Sequence, residues 1–371
     1  MKLFECQNCG QLLYFENTRC ERCRSHLGYL PDRTVLSALV ADGDRWSVFD
    51  VQDDRRRFCA NAAYGVCNWM VPAAGPQQFC RACRLNRTIP DLSNPRNLVL
   101  WQRLETAKHR LVYGLLRLKL PLITKYEDDE SGLAFDFVSS SGLLLEGQQA
   151  ATGHSNGLIT IDISEADDAE RELHRRDLAE SYRTLLGHFR HEIGHHYWQR
   201  MVRDGVWHAA FRDLFGDERQ PYAAALQRHY AIGPRPDWQE HHVSSYAGAH
   251  PWEDFAETWA HYLHIVDTLE TAAAFGLQVH PTVGRFPRID LKIDFDPYGQ
   301  DDFDALIRAW LPLTYAVNSL NQSMGQPDLY PFVLAPTVMG KLRFVHGLIH
   351  GLIFGTGEAR PRSARAGGGA R

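Results

Sequence analysis

Residues 188–197 read His188-Phe189-Arg190-His191-Glu192-Ile193-Gly194-His195-His196-Tyr197, and His191, Glu192 and His195 among them form the pattern HExxH. On a helix, side chains four apart leave from one face, so both imidazoles can reach a single zinc ion. Glu192, next to the first histidine, then sits where it can take a proton from an attacking water. Phe189, Ile193 and Tyr197 give the same helix an apolar spine, which predicts an interior helix. The pattern is short, and neighbouring His188 and His196 are possible decoys. The plain alternative is a polar helix face whose histidines are merely solvated.

A catalytic zinc takes three protein ligands and keeps a fourth position for water. The third candidate lies in Tyr246-Ala247-Gly248-Ala249-His250-Pro251-Trp252-Glu253-Asp254-Phe255-Ala256-Glu257. Pro251 suits the first turn of a helix, and the acids after it favour that helix N-terminus. Phe255, Trp259, Tyr262 and Val266 form its buried stripe, while Glu253 and Glu257, four apart, form a second. On this reading Glu253 binds zinc and Glu257 accepts the remaining N–H of a ligating histidine. Two surface glutamates in helical register are the plain alternative.

All eight cysteines fall within the first 83 residues. Cys6, Cys9, Cys20 and Cys23 form two CxxC pairs with zinc-ribbon spacing, and Gly10 relieves the tight backbone after Cys9. Cys59, Cys67, Cys80 and Cys83 are less regularly spaced and are read as a second tetrathiolate site. Free thiols or disulfides are the alternative, which the double CxxC and a reducing compartment oppose. The expected cofactors are therefore one catalytic and two structural Zn2+. Around Asp42-Gly43, residues 35–40 and 45–51 predict a hairpin.

The 371 residues are 44% hydrophobic and 11% aromatic, which excludes wholesale disorder. A net charge of -5 offers no global basic field for nucleic acid. Residues 1–98 carry a slight basic excess, which two tetrathiolate zinc sites would cancel. No apolar run approaches the roughly 18 residues of a membrane span, and the start lacks a secretory segment, so a cytoplasmic protein with no membrane partner is expected. The expected fold class is α+β, a small β-rich zinc-ribbon module followed by a mostly helical domain with a small sheet. The expected limits are 1–90 for the zinc module, 96–352 for the second domain and 356–371 for a disordered tail, with 86–97 as linker. Helices are predicted over 101–118, 166–203, 251–269, 301–322 and 337–350, and strands over 133–138, 143–145 and 158–163.

His191-Glu192-x2-His195 followed by Glu253-x3-Glu257 resembles the gluzincin clan of zinc metallopeptidases. With Tyr246 seven residues before Glu253, the spacing is similar to that of the lethal-factor-like gluzincins. The cysteine-rich head, HEIGHHYW and HPWEDFAETWAHYLH together resemble a bacterial family of zinc-binding metallopeptidases with an N-terminal zinc ribbon. That likeness runs over residues 1 to about 350. Glu253 is not preceded by the Asn of the thermolysin pattern, and the third histidine of metzincins is absent; both departures suit the lethal-factor-like group. The resemblance implies a zincin-like fold in which 158–163 is the edge strand that pairs with substrate. It also implies a peptide or protein substrate and a Tyr246 that faces the zinc and donates to the oxyanion; should Tyr246 only pack its loop, nearby His250 is the next donor to test. A protein partner docking on the ribbon is a further expectation. Two rival readings are a zinc-ribbon interaction protein with a non-catalytic zincin platform, and a DNA-associated HExxH protease.

Overall fold

The computed structural model describes residues 1–139, 153–177, 184–283 and 289–351. The strand expected at 143–145 and the tail at 356–371 lie outside the described residues. In the first knuckle, β1 (Phe4–Glu5) pairs antiparallel with β2 (Leu12–Leu13). The chain turns back there through Gly10, whose φ of 72° is the left-handed geometry that glycine tolerates best. An antiparallel meander follows: β3 (His26–Leu30), β4 (Val35–Asp42), β5 (Arg45–Val48), β6 (Arg55–Phe58) and β7 (Met70–Pro72). The predicted hairpin is β4–β5. Its two-residue loop is Gly43-Asp44, one residue later than expected, because Asp42 already pairs with Arg45.

The segment expected as a linker is structured. Asn86–Thr88 is strand β8, and α1 (Pro95–Arg117) starts at Asn94, whose side chain accepts from the Arg96 amide. Asn-Pro here is a helix start, a cap followed by a first-turn proline. Strand β8 lies parallel to β9 (Ala134–Val138), which lies parallel to β11 (Leu158–Asp162); β10 (Gly153–Ser155) adds antiparallel on the far side of β11. Strand β11 is therefore internal, and the expected edge strand is corrected to β10. The two are joined by Asn156-Gly157, with φ of 46° and 82°, the two-residue hairpin loop that this dipeptide favours.

The long helix expected over 166–203 is also divided. A 3-10 turn spans Ile163–Ala166, α2 spans Asp168–Asp177, and α3 (Leu185–Met201) begins afresh at Thr184, whose hydroxyl accepts from the Gly187 amide. Helices α4 (His208–Phe215), α5 (Tyr222–Ile232) and α6 (Trp238–His241) lead to α7 (Pro251–Ala274), α8 (Phe303–Ser323) and α9 (Pro336–His350). The architecture is α+β, a β-rich N-terminal region followed by helices with a small sheet. One apolar core runs through both, from Phe4 and Trp69 to Trp101, Phe189, Trp259 and Val345.

Helix α3 is wedged between sheet and helix. Phe189 meets Phe135 and Phe137 of β9, with ring centroids 5.7 and 6.2 Å away, and Tyr197 stacks on Trp259 of α7 at 5.1 Å. Arg190 donates to Asp267 and lies 2.6 Å from His264, both on α7. The two helices touch at Gly194, where an added Cβ would lie 3.0 Å from the Ala256 Cα and 3.2 Å from the Trp259 Cβ. Neither neighbour is a flexible side-chain end. Gly194→Ala is expected to force α3 and α7 apart and cost about 1–3 kcal/mol, read as a lowered midpoint in urea unfolding.

Candidate active site

Two helices deliver the three candidate ligands. His191 and His195 leave α3 one turn apart, and Glu253 projects from the first turn of α7. The Nε2 atoms of the histidines are 3.2 Å apart, and the Glu253 carboxylate lies 3.0 Å from His191 Nε2 and 3.6 Å from His195 Nε2. Tetrahedral ligands about 2.0–2.1 Å from a zinc ion sit about 3.3 Å from one another, so these spacings fit one metal. Glu253 is only 1% exposed, and its Oε2, 3.0 Å from His191 Nε2, takes no hydrogen bond from any other group among the described residues. A carboxylate buried this fully is costly unless a cation, an imidazolium or a metal ion, meets it. Three carboxylates, those of Glu192, Glu253 and Glu257, surround the pair of histidines. Burial alone would lower the pKa of His191, but Glu253 and Glu257 hold it well above the usual histidine range. The donor set and its negative field suit a divalent metal.

The outer contacts are equally specific. His191 Nδ1 lies 2.7 Å from Glu257 Oε1, and the other Glu257 oxygen accepts from Ser244. This fixes the ring so that Nε2 faces Glu253. Tyr246 lies in a 3-10 turn, Tyr246–Ala249, with its ring centroid 5.9 Å from that of His191. His250 is not available as a second donor: Nδ1 accepts from the Trp252 amide to cap α7, and Nε2 bonds the Gln220 carbonyl. That role is therefore corrected, because capping uses both nitrogens. Of the two possible decoys, His196 is buried with neither nitrogen partnered among the described residues. His188 instead sits beside Glu192.

Two further residues line the site without having been legible in the sequence. Tyr222, at the start of α5, donates to Glu253 Oε1 at 2.7 Å and is also hydrogen-bonded to Tyr246. Burial and then the Glu253 charge hold its phenol well above the usual range. Tyr222→Phe should weaken zinc affinity by about 10–100-fold, measured by competition with a chromogenic chelator, because it removes a fixed partner of the candidate ligand Glu253. His154 of β10 stacks over His195 with centroids 6.2 Å apart and accepts from the Gly157 amide through Nε2. Burial, then the neighbouring His195, push it down to about 4, so it is neutral at pH 7. Through it the edge strand β10 lies alongside the candidate ligands.

Both cysteine quartets are assembled, and none of the eight thiols is in a disulfide. In the first, Cys6 to Cys23 and Cys9 to Cys20 are each 3.6 Å between sulfurs. Zinc thiolates at about 2.3 Å place tetrahedral sulfurs about 3.8 Å apart, so this cage fits the ion. Cys59, Cys67, Cys80 and Cys83 also converge, with Cys67 and Cys80 3.8 Å apart. Helix α1 presses against this second set. His109 Nε2 is 3.3 Å from the Cys67 sulfur and 3.7 Å from that of Cys83, while Nδ1 is held 2.6 Å from the Glu105 carbonyl. Glu105 and Lys108 are fully buried beside it and paired at 2.7 Å.

No helix among the described residues is long and apolar enough to cross a membrane. Residues 3–94 match the model of a zinc-ribbon domain. An uncharacterized protein of Mycobacterium tuberculosis is 43% identical over 350 residues, covering 94% of this chain and 95% of its own; an uncharacterized protein of Mycobacterium bovis matches to the same extent. No solved structure matches the chain. Residues 97–348, which carry α3, α7 and every residue of the His–His–Glu site, match the family described as "Putative zinc-binding metallo-peptidase", and the chain belongs to that family.

Proposed function

We propose that the chain is a zinc-dependent peptidase of the gluzincin type, with His191, His195 and Glu253 as metal ligands. The observation that carries this reading is the convergence of one ligand atom from each of those three side chains, with Glu192 on the same helix turn. Zinc bound there would supply Lewis acidity to the scissile carbonyl and to water. Glu192, buried and beside the site, takes the proton of the attacking water and returns it to the leaving amine. Glu257 keeps His191 oriented. An extended peptide adds to the β10 edge, which sets its backbone across the site. Tyr246 donates to the oxyanion, its hydroxyl turning from Tyr222, which itself donates to Glu253. Tyr246→Phe should lower kcat by about 10²–10³-fold with KM and zinc content unchanged. A kcat equal to wild type would reassign the oxyanion role.

Residues 1–90 on this reading hold two structural zinc ions, and 96–352 form the catalytic part. Free thiols in metal-ready quartets suit a reducing cytoplasm. The test is digestion of a proteome-derived peptide library by the zinc-loaded chain, read by mass spectrometry of new termini. Cleavage that a chelator abolishes and zinc restores supports the peptidase. A chain holding three zinc ions that cleaves nothing is instead a non-catalytic platform.

A further inference from the structure

The proposed base has a tether that HExxH does not contain. His188 lies one turn before Glu192 on α3, and its Nε2 is 3.3 Å from Glu192 Oε1. Its other ring nitrogen is bonded to the carboxylate of Glu165. Glu165 belongs to the 3-10 turn that follows β11, and that turn is pinned from three sides. The Asp162 carboxylate accepts from the Ser164 amide, Arg103 of α1 donates to the Ala166 carbonyl, and Arg171 of α2 donates to the carbonyl of Glu165 itself. The Glu165 side chain is also buried, at 6% exposure. At the other end of the chain of contacts, Glu192 Oε1 is engaged while Oε2 is buried with no partner among the described residues.

We infer that His188, clamped between Glu165 and Glu192, is a positioning residue that holds the Glu192 carboxylate so that Oε2 is the oxygen that takes the proton; this rests on the peptidase reading. Glutamate has three side-chain torsions and lies next to a histidine ligand, so an untethered carboxylate would sample several orientations. Misplacing a reacting group by about 1 Å can cost on the order of 10²-fold in rate. A ring with a carboxylate on each nitrogen donates through both, so it is an imidazolium. Burial works against that charge, but Glu165 and Glu192, the two acids that face the ring, raise its pKa to about 9. The tether runs from the sheet, through the turn, to the base. The position of Glu192 is therefore referenced to β11, next to the proposed substrate edge, and not to α3 alone.

The test uses the full-length zinc-loaded chain and has two independent readouts. In the ring-15N spectrum at pH 7, one histidine should have both nitrogens protonated. That signal should vanish in His188→Gln, and in Glu165→Gln its Nδ1 resonance should shift. In steady-state cleavage of a library-derived peptide, His188→Ala should lower kcat by about 10²-fold with unchanged KM and zinc content. His188→Gln, which keeps an N–H directed at Glu192, should recover most of that loss. A singly protonated His188, or a folded His188→Ala with wild-type kcat, overturns the inference. A wild-type chain that cleaves no peptide while the doubly protonated ring is present overturns the peptidase reading itself.

Discussion

Glu192→Gln is expected to lower turnover by about 10²–10⁴-fold while the chain keeps all of its zinc. The substitution is nearly isosteric, removes a base, and touches no proposed ligand. Glu192 is 7% exposed, and its neighbour His188 can still donate to an amide oxygen, so the fold should tolerate the change. Peptide should still bind, which makes this variant suited to trapping substrates from a lysate for identification. The measurement pairs kcat with elemental zinc. Full activity in Glu192→Gln would remove Glu192 from the chemistry; loss of zinc would make it a ligand. Glu253→Ala should behave in the opposite way and lose the metal first.

The second large effect is structural. Cys80→Ser or Cys83→Ser should unfold far more than the N-terminal region. Structural zinc contributes about 10–16 kcal/mol to the folding of small zinc modules, comparable to or above the roughly 5–15 kcal/mol that holds a whole domain. The second quartet is buried against α1, with His109 touching two of its sulfurs and Trp69 packed at 5.1 Å from the same imidazole. Loss of that ion should therefore disorganise Trp101 and the core around it. Near-UV circular dichroism and thermal unfolding would register the collapse. A variant that melts at the wild-type temperature would show that the second quartet is not a metal site. Cys9→Ser, in the half-buried outer cage, should have the smaller effect.

The parts of the site that sequence made legible are those set by helical period. His191 with His195, and Glu253 with Glu257, are each four apart on one helix, and the ligand count of zinc brought the two helices together. Tyr222 and Glu165 carry no such signal. Tyr222 stands 31 residues before Glu253, and Glu165 meets His188 from a separate turn that the charged run 166–203 made read as part of one helix. Other misreadings had a visible cause. Asn156-Gly157 is a hairpin dipeptide, and it would have moved the edge from β11 to β10. Asn94-Pro95 is a helix start that sequence does not separate from a linker, because prolines and asparagines also mark loops. The fold class followed from cysteine segregation and helical periodicity, both of which are local in the chain.

Strand β8 belongs to the ribbon match yet is hydrogen-bonded to β9 of the peptidase match, and its Asn86 bonds Glu105 of α1. Many two-part proteases are held silent by a leading segment and released when it is clipped away. For this fold that route would be destructive. Excising the head would pull a strand from the sheet beneath α3, bare the β9 edge, and strand Glu105 and Lys108 without the asparagine between them. On the proposed peptidase reading, control would have to act on an intact molecule. The sheet beneath α3 is thus shared property, and the ribbon match cannot be cut from it without leaving β9 an open edge.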